Sequence, residues 1–239
     1  YDVCACAIIK HTNPCGVALG KDIEDAWKKA LDCDPLSAFG GIVAFSREVD
    51  ENVAKHLTSM FLEVVIAPSY TQAALDTLKT KKNLRVVKLN TELKHYQNFV
   101  SHEIKFTPFG ALMQQKDTKE LDPNEFKIVS KLKPTQEQVE DMVFAFKVAK
   151  HVKSNGIVIA KDLRTLGSCG GQTSRVGAVE VAIQKVCDSP KDAILASDGF
   201  FPATDNIFVA AQNRIAAIIQ PMGSIKDKEV LEAADKLGL

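Results

Sequence analysis

The 239-residue sequence has no excess charge of either sign: thirty Lys and Arg residues cancel thirty Asp and Glu. Without a global positive field nothing draws the chain to nucleic acid, and an anionic ligand has to be held by locally placed groups. There is no apolar run of about twenty residues, which excludes a membrane-spanning helix of the usual kind. A second short-spaced cysteine pair is also lacking. Cys4 and Cys6 are the one close pair among Cys4, Cys6, Cys15, Cys33, Cys169 and Cys187, so no metal is expected. With no signal peptide to suggest an oxidising compartment, all six are expected to be reduced thiols. Neither a Walker pattern nor G-x-G-x-x-G is present, so neither a nucleoside triphosphate nor a dinucleotide site is expected. What is there, 46% hydrophobic and 25% charged residues, fits a soluble globular chain of one large domain or two ordinary ones.

Short β-branched runs alternate with helical patterns. Residues 7–9, 41–45, 64–67, 85–87, 157–160, 193–195 and 216–219 read as buried strands, the layout of an α/β fold. Asp22 caps a stripe of Ile23, Ala26, Trp27, Ala30 and Leu31, which puts Trp27 in the core. Further stripes run through Val139, Met142, Val143, Phe146 and Ala149, and, behind a Ser174 cap, through Val176, Val179, Ala182, Ile183 and Val186. The stretch from Leu89 to Pro134 is the least regular, and the main boundary is placed near Pro134. The halves echo each other weakly. Lys10-His11, Ser37-Ala38-Phe39 and Ile66-Ala67-Pro68 precede Lys150-His151, Ser197-Asp198-Gly199-Phe200 and Ile219-Gln220-Pro221 in the same order but at unequal spacing.

Ligands of open α/β sheets collect where strands stop. The strand ending at Lys10-His11 places two ionisable groups there, which share a pocket if the chain turns beside them, a turn that Asn13-Pro14 and Gly16 can supply. Gly40-Gly41 permits close approach of a ligand or backbone. The glycine loop 167–173 leads to Ser174-Arg175 and a helix start suited to an anion. Ser197-Asp198-Gly199-Phe200-Phe201 and Thr204-Asp205-Asn206 combine aromatics with carboxylates, a surface for a flat heterocycle.

In this order the segments Ile9-Lys10-His11-Thr12-Asn13-Pro14-Cys15-Gly16, Ser37-Ala38-Phe39-Gly40-Gly41, Glu63-Val64-Val65-Ile66-Ala67-Pro68, Val152-Lys153-Ser154-Asn155, Gly171-Gln172-Thr173-Ser174-Arg175-Val176, Ser197-Asp198-Gly199-Phe200-Phe201-Pro202 and Gly223-Ser224-Ile225 span nearly the whole chain. Together they resemble the transformylase region of the bifunctional purine biosynthesis family, in which phosphoribosylaminoimidazolecarboxamide formyltransferase is joined to IMP cyclohydrolase. The resemblance implies formyl transfer from 10-formyltetrahydrofolate to the 5-amino group of 5-aminoimidazole-4-carboxamide ribotide (AICAR), with no metal. It implies two cytidine-deaminase-like α/β/α units, 1–134 and 135–239, and a cytosolic homodimer with sites at the subunit boundary. The deaminases' own zinc motifs, H-x-E and P-C-x-x-C, do not occur here.

Carried over by position, the resemblance makes His11 the proton acceptor and Lys10 the stabiliser of the transition state. Gly40, Glu63, Asn155, Arg175 and Phe200 would contact the ribotide, and Val176, Asp205, Ser224 and Ile225 the folate. An imidazole that titrates near neutrality suits removal of a proton from a weakly nucleophilic amine, and an ammonium suits a developing oxyanion. Where the family commonly reads Phe-Arg before the folate-side aspartate, this chain has Ala203-Thr204, which predicts weaker folate binding. The family's opening arginine-tyrosine segment, its closing basic stretch and its cyclohydrolase domain have no counterpart in these residues. Two phosphate-binding arginines at roughly 1.5–3 kcal/mol each are then missing, and the 239 residues alone are expected to be poorly active. The alternative is a noncatalytic relative that binds without turnover.

Overall fold

The structure, a computed structural model, describes residues 3–90 and 101–239. Tyr1 and the part of the irregular stretch at 91–100 lie outside the described residues. Strand β1 (Cys4–Lys10) turns back at once into β2 (Asn13–Gly20) through the two-residue turn His11-Thr12. Both turn residues have positive φ, 49° and 66°, the conformation whose twist matches a hairpin. The turn expected at Asn13-Pro14 and Gly16 is therefore displaced onto His11-Thr12. Pro14 is admitted into the strand because the register slips there, where Ile9 faces Pro14 and Ile8 faces Gly16; bulges are where a strand tolerates proline.

Helix α1 (Ile23–Cys33) starts at Asp22, whose carboxylate accepts the Asp25 amide, and buries Ile23, Ala26, Trp27 and Ala30. Trp27 is core, 2% exposed and 6.4 Å from the Phe45 ring. There follow α2 (Pro35–Ala38), β3 (Ile42–Phe45), α3 (Glu51–Thr58), β4 (Val64–Ala67), α4 (Gln72–Leu78) and β5 (Arg85–Lys88). The irregular stretch holds an exposed hairpin, β6 (His102–Thr107) with β7 (Gly110–Gln115), and a 3-10 turn at Pro123–Glu125.

Helix α5 (Gln136–Ala149) opens with a capping box between Thr135 and Gln138. It buries Met142, Phe144, Ala145, Val148 and Ala149, a face rotated from the expected stripe, whose Val143 and Phe146 are only half-buried. The buried Asp141 explains part of that orientation: its carboxylate accepts the amides of Asp162 and Leu163 at 3.0 and 2.7 Å. Those two residues turn β8 (Ile157–Lys161) into β9 (Arg164–Cys169), again at positive φ. The chain ends with α6 (Arg175–Gln184), β10 (Ile194–Ser197), α7 (Asp205–Gln212), β11 (Ala217–Ile219) and α8 (Asp227–Leu237).

Nine strands form one mixed sheet in the order β11-β10-β8-β9-β2-β1-β3-β4-β5. The order β2-β1-β3-β4 recurs as β9-β8-β10-β11, with matching antiparallel and parallel pairs, and the two runs meet where Ala18 faces Arg164. Ile66-Ala67-Pro68 and Ile219-Gln220-Pro221 close corresponding strands. The other two echoes do not correspond, since Lys150-His151 ends a helix, and Ser37 precedes β3 whereas Ser197 ends β10. One core packs α1, α3 and α4 against Ile8, Val43 and Val65; a second packs α6, α7 and α8 against Ile159 and Leu195, and a third sets α5 against Val158, Ala160 and Ala196.

The pairings also fix direction. β1, β9, β10 and β11 end, and β2, β3, β4 and β8 begin, at one edge of the sheet.

Candidate active site

Every residue singled out from the sequence emerges at that edge: Lys10 and His11 from β1, Gly40 before β3, Glu63 before β4, Asn155 before β8, Arg175 and Val176 after β9, Phe200 and Asp205 after β10, and Ser224 and Ile225 after β11. Laterally they fall into two groups.

The first group lies around β1, β3 and β4. The Lys10 ammonium donates to the Phe39 carbonyl. Gly40 has φ +69°, and a Cβ on it would sit 3.4 Å from Lys10 Nζ and 3.5 Å from the Phe61 ring. Glycine is therefore favoured by conformation, while the lysine and the ring would lie at ordinary contact distance from a Cβ. Phe39 and Phe61 pack with ring centroids 5.5 Å apart and, with Lys81 and Lys82, line an open cleft of about 470 Å³. The half-buried Glu63 pairs with Arg85 at 2.5 Å. His11 is exposed at the tip of the β1–β2 turn, and among the described residues its ring makes no hydrogen bond. Its backbone is held instead: Asn13 Nδ2 donates to the His11 carbonyl at 3.2 Å, and Asn13 Oδ1 accepts the Lys153 amide at 3.1 Å. The turn is thereby tied to the segment leading to Asn155. A β-branched residue at positive φ, as Thr12 is, is a strained choice of the kind found where side-chain placement matters more than turn stability.

The second group surrounds a cavity of about 360 Å³ lined by Asn155, Arg175, Val176, Phe200 and Asp205, among others. The Asn155 amide donates to the Gln172 carbonyl at 2.9 Å. Arg175 opens α6 behind the Ser174 cap, and its guanidinium is 10% exposed, paired with Asp198 and 3.2 Å from Ser197 Oγ. Phe200 is 42% exposed toward solvent, whereas Phe201 is wholly buried, so of the two aromatics only Phe200 is free to stack on a ligand. Asp205 accepts from the amide and side chain of Asn206, whose own Oδ1 is buried without a partner. A Cβ on Gly223, at φ +133°, would lie 4.0 Å from the Phe200 ring. Ser224 and the fully exposed Ile225 follow Gly223 but are not among the residues that line the cavity.

Asp198, which the sequence offers as a carboxylate beside the aromatics, is turned instead onto Arg175. Burial pushes its carboxyl up, but hydrogen bonds from Ser154, from Arg175 and from the Gly156 amide outweigh burial and hold it below the ordinary carboxylate range. His151, by contrast, lies below the usual imidazole range because of burial, helped by Lys150 and Lys116. Among the described residues no three His, Cys, Asp or Glu side chains gather in a way that could hold a metal ion.

Within one chain the two groups are spread along the sheet, nearest each other where β9 lies two strand steps, about 10 Å, from β1. At about 4.8 Å per strand, β10 is four strand steps from β1, about 19 Å, and five and six steps from β3 and β4, about 24 and 29 Å. The His11 turn, through Asn13 and Lys153, reaches toward the second group.

Residues 1–185 match the family model described as the AICARFT/IMPCHase bienzyme. The chain is 49% identical over 239 residues to the bifunctional purine biosynthesis protein PurH of Caldicellulosiruptor saccharolyticus, covering all of this chain and 46% of that one. The PurH proteins of Aquifex aeolicus, 48% identical over 98% of this chain and 45% of that one, and Acetivibrio thermocellus, 45% identical over 100% and 46%, are similar to it in the same way. The chain thus spans about half the length of the curated relatives it matches. Among solved structures, a dCMP deaminase from the cyanophage S-TIM5 aligns with a TM-score of 0.31 and 11% identity over 36% of this chain and 79% of that one, too distant to carry an argument.

Proposed function

Because the chain belongs to the AICARFT/IMPCHase bienzyme family, we propose that it carries the formyl-transfer step of purine (IMP) biosynthesis, from 10-formyltetrahydrofolate to the 5-amino group of AICAR. The observation that carries this is the 360 Å³ cavity, where residues expected on the ribotide side, Asn155, Arg175 and Phe200, line the same space as Val176 and Asp205 from the folate side. Transfer needs the two substrates side by side.

In the proposed reaction the amine nitrogen attacks the formyl carbon, His11 accepts the amine proton, and the Lys10 ammonium offsets charge on the formyl oxygen. The bond from formyl carbon to folate nitrogen then breaks, that nitrogen takes a proton, and tetrahydrofolate leaves. Arg175 offers N–H donors suited to an anion, and Phe200 a face for the flat base.

A homodimer belongs to the proposal. The span of about 24–29 Å from β10 to Gly40 and Glu63 is bridged if the Lys10–Gly40–Glu63 group of one protomer faces the Asn155–Arg175–Phe200 group of its partner. Two deaminase-like units, 1–134 and 135–239, are likewise proposed, supported by the repeated strand order and by two cores, one drawn from each side of the boundary. The cytosol is the proposed setting.

The ring-closing step is a second reading, favoured by the chain's matching about half of relatives named bifunctional. Two assays decide: tetrahydrofolate release from AICAR plus 10-formyltetrahydrofolate, and dehydration of the formylated ribotide to IMP. Transfer without ring closure supports the proposal. Ring closure without transfer refutes it, and saturable binding of both ligands with neither reaction identifies a noncatalytic relative.

A further inference from the structure

We propose that Asp198 is a positioning residue that fixes the Arg175 guanidinium for the ribotide, an inference that rests on the ribotide being the ligand of the 360 Å³ cavity. Arg175 and Asp198 are both largely buried, with side chains 10% and 17% exposed. Nη1 of Arg175 is committed on the protein side to Asp198 Oδ1 and to Ser197 Oγ. The same Asp198 oxygen accepts the Gly156 amide at 2.9 Å, one residue from Asn155, and Asp198's own amide donates to the Gly156 carbonyl at 3.1 Å. One carboxylate therefore braces Arg175, which lines the cavity, and Gly156, the residue after the cavity-lining Asn155. The loop after β10 is shaped to the same end: a Cβ on Gly199 would fall 2.6 Å from Arg175 Nη2, so only glycine leaves the second arm of the fork in place. With Nη1 occupied, Nη2 and Nε are the donors left for a ligand. A long cationic side chain held this way loses little freedom when its ligand arrives.

The test measures AICAR and 10-formyltetrahydrofolate affinity by calorimetry, with a thermal melt for each protein. The set is the wild-type chain, Asp198→Asn, Gly199→Ala, Arg175→Ala and the Arg175→Ala/Asp198→Asn double variant. Gly199→Ala displaces the guanidinium without altering charge, so it tests the idea even if Asp198→Asn folds poorly. Asp198→Asn and Gly199→Ala are each expected to weaken AICAR binding about tenfold or more and to leave folate affinity within about twofold. Asp198→Asn should add less than about twofold on top of Arg175→Ala, because it acts through the arginine. Wild-type or tighter AICAR affinity in Asp198→Asn, multiplying effects in the double variant, or an equal loss of folate binding would overturn the proposal. Failure of the wild-type chain to bind AICAR would instead refute the ribotide assignment beneath it, and this inference with it.

Discussion

Replacing His11-Thr12 by Asn-Gly should make the chain more stable and less active at once. Both residues sit at positive φ in a two-residue hairpin turn, where Asn-Gly is the favoured pair. A non-glycine residue in the left-handed region costs about 1–2 kcal/mol, and a β-branched one such as Thr12 belongs at the upper end. Glycine returns about 0.5–1 kcal/mol of that as lost chain entropy. Asn tolerates the conformation at position 11 at least as well as His. The net gain is about 1 kcal/mol, or a rise in Tm of about 2–4 °C for a chain of this size, measured by urea unfolding and by calorimetry. Thr12→Gly alone should keep most of the gain while retaining the imidazole. His11→Asn should lower formyl transfer by about 10²–10⁴-fold if the ring accepts the proton. A double variant less stable than wild type would refute the assignment of strain to this turn, and one equally active would refute the role of the ring.

Gly16→Ala should destabilise by about 3 kcal/mol, since the new Cβ would lie 2.0 Å from the Ala30 carbonyl oxygen and α1 would have to lift off β2; Gly171→Ala, at φ +75° with nothing within 4 Å, should cost only about 1–2 kcal/mol, and equal urea midpoints for the two would contradict the crowding argument. Phe201→Ala empties a fully buried site and should cost about 3–5 kcal/mol, seen as a lower urea midpoint, whereas Phe200→Ala should spare stability and weaken ligand binding. Asp198 is held below the ordinary carboxylate range, so the stability it contributes is present above that range and lost as pH falls through its folded value. The gap in urea midpoint between wild type and Asp198→Asn should accordingly narrow as pH drops below about 4, and a gap constant from neutral pH down to pH 3 would contradict the sign.

The sequence displayed β1, β3, β4, β5, β8, β10 and β11 as aliphatic or β-branched runs, although β5, at the edge of the sheet, is largely exposed and not the buried strand expected. It concealed β2 and β9, whose Asn13-Pro14-Cys15-Gly16 and Leu166-Gly167-Ser168 look like turn and loop. Their glycines have another purpose. A Cβ at Gly16 would meet the Ala30 carbonyl oxygen at 2.0 Å, and one at Gly167 the Ala182 carbonyl oxygen at 2.3 Å, so α1 and α6 lie directly on the sheet backbone at matching places in the two halves. No period in a single sequence reveals that approach. The buried face of α5 was misjudged for a related reason: Asp141 is drawn inward to hold two turn amides, an event fixed by a hairpin twenty residues downstream. For the candidate site, Lys10, His11, Arg175 and Phe200 do lie beside strand ends, as their sequence positions indicated. Chain order says nothing of lateral strand order, however, and it is lateral order that sets Gly40 and Glu63 apart from Asn155 and Phe200.

The rate of labelled formyl transfer from 10-formyltetrahydrofolate to AICAR, compared between wild type and His11→Ala at saturating substrates with and without added imidazole, bears on the chemistry itself. Wild type should transfer label, His11→Ala should fall about 10²–10⁴-fold with AICAR affinity retained, and free imidazole should restore part of the loss. Equal rates in the two proteins would contradict His11 as the proton acceptor.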